Sequence, residues 1–73
     1  MMTLKYLHGD TMPNRIKEIM QKQKITQIDL ARMTGINQAE LSRIINEKKT
    51  VTLPTARKIS KALGWGIDHI WPD

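Results

Sequence analysis

The chain has no cysteine and no phenylalanine, and its aromatic complement is two tryptophans and one tyrosine in 73 residues. Without cysteine there is no disulfide, no thiolate zinc site and no cysteine nucleophile, a pattern that suits a reducing cytoplasm. Histidine is nearly as scarce. His8 and His69 stand near opposite ends of the chain, without the spacing of metal ligands. Apolar runs last only a few residues, far short of the ~18–20 that span a bilayer. The opening stretch lacks the apolar segment and small-residue cleavage site of a secretion signal. Neither a nucleophile–base pair nor a phosphate-binding glycine loop is visible. These absences lead to the expectation of a cytoplasmic protein that is not an enzyme, needs no metal or cofactor and has no membrane partner.

What is present is positive charge. Twelve Lys and Arg stand against seven Asp and Glu, a formal net charge of +5. A small basic domain attracts polyanions, either nucleic acid or an anionic membrane surface. The length allows one domain, with a core near the lower limit for independent folding, so helix packing or dimerisation must supply much of the stability.

Residues 1–13 carry Gly9, Asp10 and Pro13 and no helical periodicity, which predicts an extended or disordered arm. Lys5 and Tyr6 are its candidates for reaching along a DNA backbone. Residues 14–73 read as one all-α domain of about five short helices. Asn14 is placed to cap the first, whose stripe is Ile16, Ile19 and Met20. Thr26 caps the second, with Asp29 three residues on as a short capping-box partner, and Gly35 ends it. Asn37 caps the third, with Leu41, Ile44 and Ile45 inward. Thr52 caps the fourth, which carries Pro54 in its first turn, buries Ala56, Ile59 and Leu63, and stops at Gly64. A short last helix spans about Ile67 to Trp71.

The stretch QIDLARMTGINQAELSRIIN has the pattern of two helices crossing through a tight turn. Ala31 gives the small side chain where they touch, and Gly35 the positive φ that the turn demands. Leu30, Ile36, Leu41 and Ile44 fill the wedge, with Thr34 at a further wedge position. If the second helix of the pair lies in a major groove, its N-terminal residues reach base edges. Those are Gln38, Ala39 and Glu40, with Ser42 and Arg43 one turn later. Glutamine can pair with adenine, arginine with guanine, and the alanine methyl can touch thymine; Glu40 can accept from a cytosine amino group or exclude wrong sequences. Phosphate contacts are expected from Gln27 on one side and from Asn46, Lys48, Lys49 and Thr50 on the other.

From Arg15 to Trp71 the sequence resembles the phage-repressor/Cro-type helix-turn-helix domain, or XRE family. The resemblance rests on RIKEI, TQIDLA, TGINQAELSRI and KISKALGWGIDHIW, which align without an insertion. It implies a compact five-helix bundle, operator binding and a two-fold dimer. It also implies that Gln27, Gln38, Ala39, Glu40, Ser42 and Arg43 face DNA and that Asn46 faces a phosphate. The chain departs from the family pattern in three places. Met20 and Ile45 stand where many members pair arginine with glutamate, an exchange that is often neutral or stabilising. Glu47 replaces the usual glycine after the recognition helix, so Asn46 is expected to turn left-handed or the helix to run on. The arm is additional.

The function expected is a small transcriptional regulator, a repressor acting by occupancy as a homodimer on a palindromic operator. The apolar C-terminal end, with Ile67, Ile70 and Trp71, is the candidate seam. An antitoxin-type autorepressor with a toxin partner is the alternative, since IINEKKTVTLPTARKISKALG resembles that branch equally. An interaction module that has lost DNA binding is a third reading, allowed by Glu40 on the recognition face.

Overall fold

A computed structural model describes residues 13–72 of the chain; the expected arm lies outside the described residues apart from Pro13. Five helices follow in order: α1 (Ile16–Gln23), α2 (Gln27–Thr34), α3 (Gln38–Ile45), α4 (Leu53–Leu63) and α5 (Ile67–Ile70). No strand occurs among the described residues, so the fold is the all-α bundle that the periodicity predicts. Packing runs from α2 onto α3 and α4, and from α4 onto α5.

Local chemistry accounts for most boundaries. Thr26 Oγ1 accepts from the Asp29 amide at 3.1 Å while the Asp29 carboxylate accepts from the Thr26 amide at 3.0 Å. Aspartate is therefore long enough for a complete capping box. Asn37 caps α3 through the Glu40 amide at 3.0 Å. Gly35 (φ 76°) and Gly64 (φ 77°) take the left-handed conformation that closes α2 and α4. Thr52 behaves differently from expectation: its hydroxyl meets that of Thr55 at 3.2 Å, with no side-chain bond to a helix amide.

The wedge residues Leu30, Ile36, Leu41 and Ile44 are all buried, and they share one core with Ile16, Ile19, Ile59 and Leu63. Met20 and Ile45 belong to the same core. Thr34 fits its wedge position by bridging the turn. Its hydroxyl donates to the Leu30 carbonyl at 2.8 Å and accepts from the Ile36 amide at 3.1 Å.

The C-terminal end corrects one expectation. The Arg15 amide donates to the Ile70 carbonyl at 2.8 Å, which folds the last turn against the start of α1. Ile70 is 0% and Trp71 5% exposed, so neither offers the surface that a dimer seam needs. A domain this small uses both for its own core. Ile67 is half-buried and packs on that core. Trp65 instead stays outside, 46% exposed, with its ring stacked on His69 at a centroid distance of 4.2 Å.

The capping box gives a stability prediction. Thr26→Ala should cost about 1 kcal/mol, which lowers Tm by roughly 4–8 °C in a domain of this size. The Thr26 amide and hydroxyl hold the Asp29 carboxyl below its ordinary value of 3.8. A lowered folded pKa contributes stability above the ordinary value that is lost as pH falls below it. Melting from pH 6 down to pH 2 should therefore show a steeper acid loss in the parent than in Asp29→Asn; parallel curves would contradict the box.

Candidate nucleic-acid interface

The turn between α2 and α3 leaves the first residues of α3 on the surface. Gln38, Ala39 and Arg43 are exposed, and Glu40 and Ser42 half-buried. On a helix, residues three and four apart share a face, so Gln38 and Ser42 form one row and Ala39 and Arg43 the next. The inward positions between them, Leu41, Ile44 and Ile45, are in the core. An amide, a methyl and a guanidinium thus stand side by side on a helix that its own apolar face holds down.

Gln27 ties the two helices together at their starts. Its side-chain amide donates to the Gln38 carbonyl at 3.2 Å, and the residue is half-buried. This bond orients the first residue of α3, a positioning contribution with no local signature in the sequence, distinct from the phosphate contact expected of Gln27.

The residues past α3 divide into two sets. Lys48 and Thr50 are exposed. Lys49, by contrast, reaches back to Glu40, with Nζ 3.2 Å from Oε2. That pair explains how an acid is tolerated on an otherwise polar and cationic face. A half-exposed pair of this kind is worth little to stability, but it neutralises the charge that would oppose a polyanion.

Asn46 is placed differently from expectation. Its Nδ2 donates to the Ser42 carbonyl at 2.9 Å and lies 3.4 Å from Ser42 Oγ, while Lys17 Nζ donates to its Oδ1 at 3.3 Å. The amide hydrogens thus point along α3 and not outward, and Lys17, which sequence reasoning passed over, becomes the exposed cation beside it. Asn46 keeps φ −89°. The left-handed residue is Glu47, at φ 59°, which corrects the expectation that Asn46 would take this conformation or the helix run on. The chain closes there through Lys48 N–H to the Arg43 carbonyl at 2.7 Å and Glu47 N–H to the Ile44 carbonyl at 3.1 Å. A left-handed residue with a side chain costs about 1 kcal/mol.

Among the described residues no group of three His, Cys, Asp or Glu is placed to hold a metal ion, and no helix is long and apolar enough to cross a membrane. Comparison with curated proteins gives no significant match. A family model described as helix-turn-helix matches residues 16–70, which covers all five helices and the whole of the face described above. The chain therefore belongs to the helix-turn-helix family of the phage-repressor/Cro (XRE) type, whose domains bind DNA as regulators.

Proposed function

We propose that this protein is a repressor that lays α3 in the major groove of an operator and blocks a promoter by occupying it. The observation that carries the reading is the row of exposed side chains on a helix held down by its own core face. Gln38 suits adenine, Arg43 suits guanine, and the Ala39 methyl suits thymine. Ser42 adds a hydroxyl, and Glu40 serves by accepting from cytosine or by rejecting other bases. Gln27, Lys48, Lys49 and Thr50 flank this row on the phosphate side. Asn46 supports the helix end, with Lys17 as the nearer phosphate ligand.

The direct experiment is selection of a bound duplex from a random pool, followed by anisotropy titrations across salt. Arg43→Ala and Gln38→Ala should each lose about 1–3 kcal/mol of discrimination with the melting curve unchanged. Lys48→Ala should weaken all duplexes alike and reduce the log–log salt slope by about 0.9. Lys49→Ala should change the slope less, because Lys49 already serves Glu40. If both base-contact variants matched the parent on the selected duplex, recognition would lie on another face.

The same reading includes a two-fold pair, because one domain makes few base contacts and two read half-sites roughly one helical turn apart. With Ile70 and Trp71 in the core, the apolar surface left at this end is Trp65 with half-buried Ile67. Sedimentation should show two chains on a palindromic duplex, with Trp65→Ala weakening the assembly. One chain per duplex, saturating without cooperativity, would refute the pair.

A further inference from the structure

We propose that Asn14, which lies outside the helix-turn-helix, is a positioning residue that sets the rotation of the recognition helix from its C-terminal end. The inference rests on the DNA-binding reading of α3 and adds a component to it.

By sequence alone Asn14 is a helix cap and nothing more. In the structure its side chain does two jobs at once. Oδ1 accepts from the Ile16 amide at 3.0 Å, although the N-cap position of α1 falls to Arg15, which makes no side-chain cap bond, and Asn14 stands one residue before it, a correction to the expected cap. Nδ2 donates across 30 residues to the Ile44 carbonyl at 2.8 Å. Its backbone amide makes a third bond, to Glu47 Oε2 at 3.1 Å. The Ile44 carbonyl already accepts from the Glu47 amide at 3.1 Å, so Asn14 adds a second, shorter bond that ties the end of α3 to the start of the domain.

Lys17, one turn further along α1, adds a second link through Asn46 to Ser42. One link leaves the residues just before α1 and the other its first turn, and both end on the last turn of α3 or the turn after it. The apolar core to which Met20 and Ile45 belong is held by a non-directional force. Hydrogen bonds are directional and resist small rotations. A rotation of about 10° moves a side-chain tip ~6 Å from the helix axis through about 1 Å, more than the ~0.5 Å that a preorganised site tolerates. Arg43 immediately precedes Ile44 and would move with it.

Glu47 fits the same account. Its left-handed backbone is unfavourable for a residue with a side chain, and glycine would relieve the strain. Glycine would also have no carboxylate to bind the Asn14 amide.

The test is Asn14→Asp. A plain cap predicts no loss, because aspartate caps equally well and its charge suits a helix N-terminus. A clamp predicts loss, because the donor to Ile44 disappears and a carboxylate faces both that carbonyl and Glu47. Amide exchange at Ile45 to Lys48 should quicken about fivefold relative to α2. Preference for the selected duplex over random duplex should fall by a similar factor, with the salt slope unchanged. Adding Glu47→Gln, which removes the like charge, should recover part of both. If Asn14→Asp fails to fold, Asn14→Ser takes its place, since it keeps a short cap without the reach to Ile44. Parent-like exchange and parent-like preference would overturn the clamp. Absence of any duplex preference in the parent would overturn the DNA reading, while the exchange ratio would still decide the clamp.

Discussion

The apolar wedge of Leu30, Ile36, Leu41 and Ile44 is the constraint on which the rest of the structure depends. It holds α2 and α3 at one mutual angle, and with no cysteine in the chain no disulfide can substitute for it. A domain of this length is stable by roughly 4–11 kcal/mol in total. Truncating one buried leucine to alanine costs about 2–5 kcal/mol, so any one of these side chains carries a large share of that stability. The outward row of Gln38, Ala39 and Arg43 is presented only because the opposite face of α3 is fixed in this way.

Polar joints then refine what the wedge determines coarsely. Gln27 grips the start of α3 through the Gln38 carbonyl, and Asn14 grips its end through the Ile44 carbonyl. Gln23 pins the end of α1 to the Leu63 carbonyl at 2.8 Å, and Arg15 ties the beginning of the bundle to Ile70. The Leu63 and Ile70 carbonyls lie in the last turn of a helix, where internal donors run out, while the Ile44 carbonyl already accepts from the Glu47 amide and Gln38 opens α3. Bundles of short helices have many such ends, which explains why glutamine and asparagine recur at the joints. Charge is arranged around the same frame. Glu40 is matched by Lys49, and Glu47 is bonded to the Asn14 amide, leaving Arg43 and Lys48 as unopposed cations at the face.

Legibility in the sequence followed the range of each interaction. The capping box at Thr26, the cap at Asn37 and the turn glycines Gly35 and Gly64 depend on residues at most a few positions apart, and all were readable. The inward stripes were readable for the same reason, since helical period alone separates Leu41 and Ile44 from Gln38 and Arg43. Contacts across 30 or more residues left no local signature, so Asn14 looked like a simple cap and nothing singled out Gln23. The C-terminal tryptophans show the same limit. Composition does not separate the two, and only the path of the last turn decides that Trp71 goes inside and Trp65 does not. At Glu47 and Asn46 the difficulty was different. Asparagine is the usual non-glycine choice for a left-handed position, yet Asn46 keeps φ −89° with its side chain bonded back to Ser42, and Glu47 takes φ 59°.

The central claim is that one face of this bundle, the start of α3 with the turn that follows it, meets the edges of base pairs. Backbone amide chemical shifts recorded while a selected duplex is titrated in would map that face residue by residue. The account predicts the largest changes at Gln27, at Gln38 to Arg43 and at Lys48 to Thr50, with little change along the outer side of α4. Changes centred on Trp65 and α5, with α3 unmoved, would contradict it.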